Sequence, residues 1–523
     1  MEGKHHMKRM IAATLTLALT TAALAGCAAN AAAPTDDQNT VAAATMSNET
    51  GKTPKYVFLF IGDGMSYPQI QSTSDYLGAL NDEDYWQAQP SLDDNQGAIL
   101  DGPEYLNFMN FEGVGTAVTF DSNSFAPDSA STATSIATGH KTYSGSINVD
   151  ETGTVEYETI AEQLKAQKDY EIGVITSVNL NHATPAAFYA HQASRSSYYE
   201  IGLEMVESDF DYFAGGGLLD PTGSEGDQTD LYQLAQEAGY TVARTYAEAD
   251  AISADTDKAI IIEENLADSD AIPYEIDRTD DMWSLADYVE KGIEVLDNDT
   301  GFFMMCEGGK IDWACHANDA GSSIHDTQAL ADAVQVAIDF AAEHPDETLI
   351  LVTGDHETGG LTIGFAGTDY DTYLDLLENQ KISYAKFDSD YVASYKENKT
   401  PFEDVLSDIE ELFGLKAQGA ADDKLVLTEY EMEQLRAAYE KSVNGTAASQ
   451  YEQEEYVLYG TYEPLSVTIT HIINNKSGIS FTSYSHTGLP VAVLAEGVGA
   501  ENFSGYYDNT QIYEKMADLL NIA

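Results

Sequence analysis

The sequence predicts an α/β protein whose largely parallel central sheet is covered by helices on both faces. Apolar, β-branched and aromatic runs typical of buried strands lie near residues 55–61, 172–177, 259–263, 301–306, 348–353, 480–483 and 490–494. Helix-compatible stretches lie between them, at residues 129–138, 157–168, 229–238, 282–296, 324–343 and 506–521. Alternation of buried strands with helices is the pattern that parallel sheets require.

One region departs from this alternation. Between about residues 364 and 466 the chain is rich in Tyr, Asp and Glu and contains charged helical runs. We interpret it as an acidic insertion that forms a surface cap. The part from residue 55 to 523 is long enough to bury the core of one large domain, with this cap inserted into it.

The N-terminus predicts an exported protein. A basic start with Lys8 and Arg9, followed by an apolar run over residues 10–23, is typical of a signal peptide, here residues 1–26. Leu24–Cys27 resembles a bacterial lipoprotein box, so Cys27 is expected to be the lipidated first residue of the mature chain. An ordinary cleavage site with a chance cysteine is the alternative.

Residues 27–54 are rich in Ala, Thr, Asn and Asp and lack apolar periodicity, which predicts a flexible tether after the lipidated cysteine. A lipid anchor would hold the protein on a membrane outside the cytoplasm. We therefore expect a membrane-anchored lipoprotein at the cell surface or in the periplasm.

The charge balance excludes one class of partner. The chain has 88 acidic and 24 basic residues and a formal net charge of −64. Nucleic acid binding depends on Lys and Arg that neutralise phosphates, so we expect no nucleic acid partner. Such an acidic surface favours solubility.

Cysteine is scarce, so the fold is not expected to depend on disulfides. Cys306 and Cys315 are the two that follow the lipoprotein box. A bond between them or thiol ligation of a metal is conceivable in an oxidising compartment. Because Cys306 ends an apolar run, a buried free thiol is the favoured interpretation for it.

Three predicted strands end in acidic residues. Asp63 follows the run 56–61, Glu307 ends the run 302–306, and Asp355 with His356 follows the run 348–353. Ligands gather at the carboxyl ends of the strands in open α/β sheets. These side chains therefore predict a shared cation site.

Two further segments supply candidate ligands. Asp312 and His316 are four residues apart, so they share one face of a helical turn. His486 lies in a polar loop before the apolar run 489–494. Each motif alone is common in solvated turns and helix faces, but their combination predicts a metal site.

Ser129 is the candidate nucleophile. It follows Asp128 at the start of a small-residue stretch that is compatible with a helix, where backbone N–H groups favour an anion such as phosphate. A serine hydroxyl is a weak nucleophile until a base or a metal lowers its pKa.

Together these motifs resemble those of the alkaline phosphatases, in the same chain order and from about Lys55 onward. The matching segments are Asp63–Met65, Asp128–Ala130, Ala183–Ala187, Ser194–Arg195, Glu307–Gly308, Asp312 with His316, Asp355–His356 and His486–Gly488. The resemblance implies a three-layer α/β/α sandwich, hydrolysis of phosphate monoesters through a phosphoserine, and a homodimer.

The resemblance also implies two Zn²⁺ and one Mg²⁺ per subunit. The ligands of one zinc would be Asp312, His316 and His486. The ligands of the other would be Asp63, Asp355 and His356, with Ser129 at its open position. The ligands of the Mg²⁺ would be Asp63, Thr184 and Glu307. Arg195 would hold two phosphate oxygens with its planar guanidinium.

Two positions depart from the best-known bacterial pattern of the family. His182 stands where that pattern has an aspartate near the third metal, and Trp313 stands where it has a lysine near the phosphate. Other branches of the family carry His or Trp here. His182 could weaken the Mg²⁺ site or admit zinc. Trp313 either removes a cation that would hold phosphate, and so speeds its release, or simply packs against the pocket wall.

Two other functions remain open at this point. A phosphodiesterase, phosphonate hydrolase or sulfatase could share the metal ligands, although Ser129 together with Glu307 and Arg195 argues against them. A non-catalytic lipoprotein that scavenges metal or phosphate is the alternative from a different class.

The net charge predicts a salt effect on the reaction. A phosphomonoester is an anion, so long-range repulsion should slow its encounter with this chain, and added salt screens that repulsion. We expect kcat/KM for p-nitrophenyl phosphate to rise as ionic strength increases from a low value, at constant metal concentration. A steady fall over the same range would contradict this account.

Overall fold

The computed structural model describes residues 52–82, 85, 100–443 and 453–522. The predicted signal peptide, Cys27 and most of the predicted tether lie outside the described residues. In the described part of the chain, no helix combines the length and the apolar character needed to cross a membrane.

Fourteen strands occur in the described residues. Their bounds are β1 Tyr56–Gly62, β2 Gly113–Val118, β3 Glu171–Asn179, β4 Tyr212–Gly216, β5 Thr241–Ala243, β6 Ala259–Ile262, β7 Phe302–Glu307, β8 Thr348–Gly354, β9 Glu357–Thr358, β10 Thr362–Ile363, β11 Ile479–Ser480, β12 His486–Thr487, β13 Val491–Gly497 and β14 Gly505–Asp508.

The α-helices are α1 Tyr67–Asn81, α2 Ser129–Thr138, α3 Ile160–Lys168, α4 Ala183–Ala186, α5 Tyr198–Glu207, α6 Leu231–Glu237, α7 Tyr246–Asp250, α8 Leu285–Leu296, α9 Lys310–His316, α10 Ala320–Glu343, α11 Tyr384–Phe387, α12 Ala393–Asn398, α13 Phe402–Phe413, α14 Glu429–Val443, α15 Gln453–Tyr459, α16 Pro464–Ser477 and α17 Thr510–Leu520.

Ten of these strands form one sheet in the order β14-β2-β13-β8-β1-β7-β3-β4-β6-β5. All neighbours in it are parallel except those of β13, which runs antiparallel to both β2 and β8. The predicted α/β class with a largely parallel sheet is confirmed. β1 is fully buried at its centre, as its apolar sequence predicts.

Helices cover both faces of the sheet because alternate strand residues point to opposite sides. Val57, Leu59 and Ile61 belong to one core with α2, α3, α5, α6 and α17. Phe58 and Phe60 belong to the other core, with α1, α8 and α10. This arrangement is the three-layer sandwich that the resemblance implies.

The structure differs from the predicted elements in particular places. Residues 480–483 are not a strand beyond the short β11, because the amides of Thr482 and Ser483 both donate to the carbonyl of Gly359, each at 3.0 Å. The predicted helix at 506–521 begins with strand β14, which is held by pairing with β2. The strands β2, β4 and β5 were not predicted, since they are short or rich in glycine and alanine.

The acidic segment between residues 364 and 466 contains α11 to α15 and a π-helical turn at Asp388–Val392. Its apolar residues, including Phe387, Val405 and Leu435, form a third core that extends to Ile324 on α10 and Tyr76 on α1. The segment therefore packs on the helices of one sheet face through its own apolar residues.

Cys306 and Cys315 are both buried free thiols. The thiol of Cys315 lies 3.3 Å from the Ser323 hydroxyl, and burial raises the pKa of Cys306 well above its usual value. Within the described residues both thiols are unbonded, as the favoured interpretation of Cys306 expects.

The segment that precedes Arg195 is anchored by a half-buried histidine. The side chain of His191 lies between the carboxylates of Glu162 and Glu204, at 3.5 and 3.6 Å. Burial lowers the pKa of His191, but the two carboxylates outweigh it and raise the pKa to about 10. The adjacent Gln192 pairs with Ile147 through backbone hydrogen bonds, so this ion pair network holds the chain in place.

We predict that His191→Gln destabilises the fold in a pH-dependent manner. A folded-state pKa above the unfolded value gives stability that is complete below about pH 6.5 and is lost as pH rises through about 10. The variant should lose about 1–3 kcal/mol in free energy of unfolding at pH 6 and less near pH 10. Urea unfolding at both pH values measures this. An equal loss at both, or none, would show that His191 is not held as a cation.

Candidate active site

The sheet register brings three predicted acids to one edge. Ile61 of β1 pairs with Glu307 of β7, and Gly62 pairs with Gly354 of β8. Asp63 and Asp355 follow directly, so all three carboxylates emerge at the carboxyl ends of adjacent parallel strands. Asp63, Glu307 and Asp355 are all completely buried.

His486 reaches the same edge by a different route. Strand β13 runs against its neighbours, so the residues that precede it lie at the carboxyl ends of the parallel strands. There β12 pairs with β9, which sets His486 opposite Thr358 and Thr487 opposite Glu357. The ring of His486 consequently stacks on that of His356, with centroids 3.7 Å apart.

Asp312, His316 and His486, the expected ligands of one zinc, lie close together and are called the first group below. His316 Nε2 lies 3.4 Å from Asp312 Oδ2, and His486 Nε2 lies 3.6 Å from Asp312 Oδ1. The Nδ1 atoms of the two histidines donate to the carbonyls of Tyr484 and Pro127, at 2.7 and 2.5 Å. A carbonyl only accepts, so in each neutral ring Nε2 is left with its lone pair.

The two Nε2 atoms are 3.1 Å apart. Two lone pairs facing one another at this distance repel, and a shared cation would remove the repulsion. Backbone carbonyls that fix the tautomer and the orientation of ligating histidines are the usual outer contacts of metal sites.

Asp63, Asp355 and His356 form the second group. His356 Nε2 lies 3.3 Å from Asp63 Oδ1 and 3.5 Å from Asp355 Oδ2. The carboxylate of Asp355 is oriented by the amides of Gly64 and His356, at 3.2 and 2.8 Å. The ligand atoms of this group lie within 4.8 Å of one another, and the same holds for Asp312, His356 and His486.

A third set of oxygens lies beside the second group. Asp63 Oδ2, Thr184 Oγ1 and Glu307 Oε1 are buried and have no hydrogen-bond partner among the described residues. Thr184 is on the short helix α4, just after β3. Buried oxygens without partners are costly, so this set suits a hard cation that prefers oxygen ligands.

Ser129 is the first residue of α2. Asp128 caps this helix by accepting from the Ser131 amide. The Ser129 hydroxyl lies 3.2 Å from His356 Nε2 and donates to Asp63 Oδ1 at 3.4 Å. The helix N-terminus thus presents the hydroxyl directly to the second group.

Arg195 contacts Asp128, the residue before Ser129, and lines the same pocket as Ser129. Its Nη1 donates to Asp128 Oδ2 at 2.9 Å, and its Nη2 lies 3.4 Å from His182 Nε2. Burial opposes the charge of Asp128, but Arg195 and backbone donors lower its pKa below the usual value. Burial and Arg195 lower the pKa of His182 to about 3, so that histidine is neutral.

Carboxylate crowding dominates the electrostatics. Burial, with repulsion from neighbouring carboxylates, raises the pKa of Asp355 to about 8 and that of Asp63 well above its usual value. Burial raises the pKa of Glu307 to about 7. Asp312 differs: burial opposes its ionisation, but the three histidines lower its pKa below the usual value. Bound cations would keep all these groups ionised.

These residues open into a pocket of about 480 Å³. Sequence reasoning placed Ser129, Arg195, Asp312, His316, His486, His182 and Trp313 at or near it, and all seven line it. It missed four residues: Asp268, Ser269, Tyr384 and Tyr462. The high Tyr content of the acidic segment was the only signal for the last two. Trp313 forms part of the wall, edge-on to His182 at 5.9 Å.

Known proteins resemble this chain over most of its length. The alkaline phosphatase family model matches residues 54–522. Alkaline phosphatase 3 of Bacillus subtilis is 30% identical over 469 residues, which cover 88% of this chain and 87% of that protein. Alkaline phosphatase of Schizosaccharomyces pombe is 27% identical over 501 residues, covering 91% and 83%.

Solved structures agree in fold. The cold-active alkaline phosphatase from the psychrophile Shewanella sp. is 29% identical, with a TM-score of 0.69, and the match covers 89% of this chain and 99% of that one. The alkaline phosphatase from the Antarctic bacterium TAB5 is 25% identical, with a TM-score of 0.58 and coverage of 90% and 99%. The resemblance drawn from the motifs is thereby confirmed, and this chain belongs to the alkaline phosphatase family.

Proposed function

We propose that this chain hydrolyses phosphate monoesters through a phosphoserine on Ser129 and releases inorganic phosphate outside the cytoplasm. Hydrolysis of phosphomonoesters is the activity of its family. The phosphoserine on Ser129 is supported by the position of its hydroxyl, which lies 3.2 Å from His356 Nε2. It also lies beside two groups of side chains that could hold metal ions.

The donor sets fit two Zn²⁺ and one Mg²⁺. Zinc takes imidazole nitrogen and carboxylate oxygen, which suits Asp312, His316 and His486 in one group and Asp63, Asp355 and His356 in the other. Mg²⁺ takes oxygen ligands, which suits the unpartnered oxygens of Asp63, Thr184 and Glu307. A variant of the TAB5 enzyme has Mg bound in its M3 site.

When bound, the cations supply Lewis acidity that lowers the pKa of a coordinated hydroxyl or water and stabilises the charge that develops during transfer. The protein positions the reacting groups around them. Helix α2 fixes Ser129 at its N-terminus, where backbone N–H groups favour the phosphoryl anion. Ser129 attacks phosphorus, the alcohol leaves, and water then releases phosphate from the serine.

Arg195 holds the transferring phosphoryl group in this proposal. Its guanidinium is fixed by Asp128, which itself caps α2, so one carboxylate orients both the arginine and the helix that carries the nucleophile. A planar guanidinium can bind two phosphate oxygens at once. Neutral His182 lies between Arg195 and Trp313 and leaves the arginine charge uncompensated on that side.

Further expectations from the sequence remain proposals. They are a signal peptide over residues 1–26, a lipid anchor on Cys27 with a tether to residue 54, a membrane location outside the cytoplasm, and a homodimer. The acidic segment 364–466 is proposed to act as a cap, and the presence of Tyr384 and Tyr462 in the pocket wall supports this.

The alternative functions predict different results in the same assay. A diesterase or sulfatase would turn over the corresponding ester faster than a monoester. A scavenging lipoprotein would bind zinc with no turnover of any ester.

We predict that p-nitrophenyl phosphate is hydrolysed with Zn²⁺ and Mg²⁺ at pH about 9, and that Ser129→Ala lowers kcat by a factor of about 10² or more. Removal of metal by a chelator should abolish activity, and Zn²⁺ with Mg²⁺ should restore it. Ser122→Ala, in the loop before α2, is a matched control. Stoichiometric zinc binding without turnover would contradict the proposal, as would an active Ser129→Ala.

The crowded carboxyls predict how metal changes the pH dependence of stability. Without metal, Glu307 and Asp355 have folded-state pKa values of about 7 and 8, above their unfolded values. The folded state then holds extra protons, so stability falls as pH rises from about 4 to 8. Metals keep these groups ionised and should flatten that fall.

Thermal unfolding of metal-stripped and metal-loaded protein at pH 5 and 8 measures the effect. We expect the gain on loading to be larger at pH 8. The many surface carboxylates affect both forms alike, so the difference between forms isolates the site. A gain that is equal at both pH values would contradict the assignment of these residues as ligands.

A further inference from the structure

One wall of the pocket has a composition that phosphate binding does not require. It consists of Trp313, Tyr384 and Tyr462, with Asp268 and Ser269 beside them. Trp313 follows Asp312 in α9, whereas both tyrosines come from the acidic segment. The rings of Tyr384 and Tyr462 pack edge to face, with centroids 5.7 Å apart.

This wall lies on the side of the Asp312, His316 and His486 group. Burial raises the pKa of the Tyr462 hydroxyl, and the negative charges of Asp312 and Asp268 add to the rise, so Tyr462 is near both carboxylates. Burial also raises the pKa of Tyr384, with Asp268 contributing. Asp268 lines the same pocket as both tyrosines, close enough for its charge to act on their hydroxyls.

One cation lies behind the wall, and among the carboxylates acting on it the charge of Asp268 has the largest effect on its pKa. The fully buried Lys310 places Nζ 4.4 Å from the ring of Trp313 and 4.2 Å from that of Tyr274. Tyr274 in turn donates its hydroxyl to that of Tyr384 at 3.2 Å. Tyr274 packs with Tyr384, Trp313 and Tyr462 in one cluster, which keeps the rings rigid.

Several aromatic faces beside a carboxylate are the arrangement that recognises quaternary ammonium groups. In the function proposed above the phosphoryl group lies between Ser129 and Arg195, so the rest of the ester extends from there into the pocket. Arg195 is the only Lys or Arg among the pocket-lining residues that the structure describes. The leaving-group side of the pocket is consequently acidic and aromatic.

We propose, on the basis of the function proposed above, that the preferred substrates are phosphate monoesters whose alcohol carries a quaternary ammonium, with phosphocholine as the simplest example. The ammonium lies against Tyr384, Tyr462 and Trp313 and is paired with Asp268. Ser129 Oγ bonds to phosphorus as the P–O bond to the alcohol breaks, and choline leaves as the alcohol with the proton given up by the serine hydroxyl. Water then breaks the P–O bond of the phosphoserine, which restores the serine hydroxyl and releases phosphate.

The overall charge of the chain supports this choice. A net charge of −64 repels a dianionic ester. A substrate that carries its own positive charge has a smaller net charge and is repelled less. The same acidic surroundings that hinder an ordinary phosphomonoester thus favour a zwitterionic one.

The test compares phosphocholine with its neutral analogue, in which carbon replaces the quaternary nitrogen and the shape is unchanged. We expect kcat/KM for phosphocholine to exceed that for the analogue by about tenfold or more in the wild type. Asp268→Asn and Tyr462→Leu should each lower this ratio severalfold. A ratio near one in the wild type would overturn the proposal.

Asp270→Asn is the matched control, because it removes an equal charge from the same turn at an exposed residue that does not line the pocket. The ratio of the two kcat/KM values should stay at the wild-type value in this variant. If the ratio fell as far as in Asp268→Asn, the preference would be due to the net charge of the protein and not to Asp268. Equal losses on both substrates in the Asp268 and Tyr462 variants would indicate a merely structural role and would also overturn the proposal.

A binding measurement is independent of turnover. Calorimetry with Ser129→Ala should show tighter binding of phosphocholine than of the neutral analogue, and the difference should shrink when Asp268→Asn is added. Hydrolysis of p-nitrophenyl phosphate separates the two levels of proposal. If that ester is hydrolysed but phosphocholine is not preferred, the proposed substrate preference is wrong and the proposed phosphatase function stands. If no ester is hydrolysed, the proposed phosphatase function itself is wrong.

Discussion

Repulsion among buried like groups at the carboxyl edge of the sheet is the constraint around which this protein is organised. Asp63, Glu307 and Asp355 are completely buried within one small volume, and the Nε2 atoms of His316 and His486 face one another at 3.1 Å. Without cations the carboxyl groups of Glu307 and Asp355 retain protons up to about pH 7 and 8, and bound cations would let them ionise. The two apolar cores on the sheet faces stabilise the fold and offset the free energy cost of burying these like groups together.

The same edge also holds the candidate nucleophile, Ser129, in position. Asp128 caps α2, pairs with Arg195 and accepts from the Gly145 amide, so one carboxylate holds three segments together. Ser129 is presented by the helix that this residue starts. A change at Asp128 is therefore expected to disturb helix α2, Arg195 and Ser129 together.

The acidic segment adds a different property. It packs on α10 and α1 through its own apolar core and contributes Tyr384 and Tyr462 to the pocket. The sheet edge alone would treat any phosphoryl group alike, because the leaving group has few contacts there. In our proposal, the aromatic and acidic pocket wall to which this segment contributes gives a general phosphatase a preference for one class of alcohol.

The sequence by itself determined the α/β class, the strand-end acids and the pairing of Asp312 with His316, because each of these depends on local periodicity and on short spacing. Helix α2 was predicted with its observed bounds, since small helix-compatible residues follow a capping Asp128. Assignment of ligands to separate groups came from the resemblance and not from spacing. Only the tertiary structure decided how His486 reaches the carboxyl edge of the sheet. Its position there depends on the antiparallel strand β13 and on the pairing of β9 with β12, which lie more than a hundred residues apart in the chain. The tertiary structure likewise decided that Asp268, Tyr384 and Tyr462 line the same pocket wall as Trp313. Local sequence patterns do not show which side chains, distant in the chain, come together when the acidic segment packs on the domain.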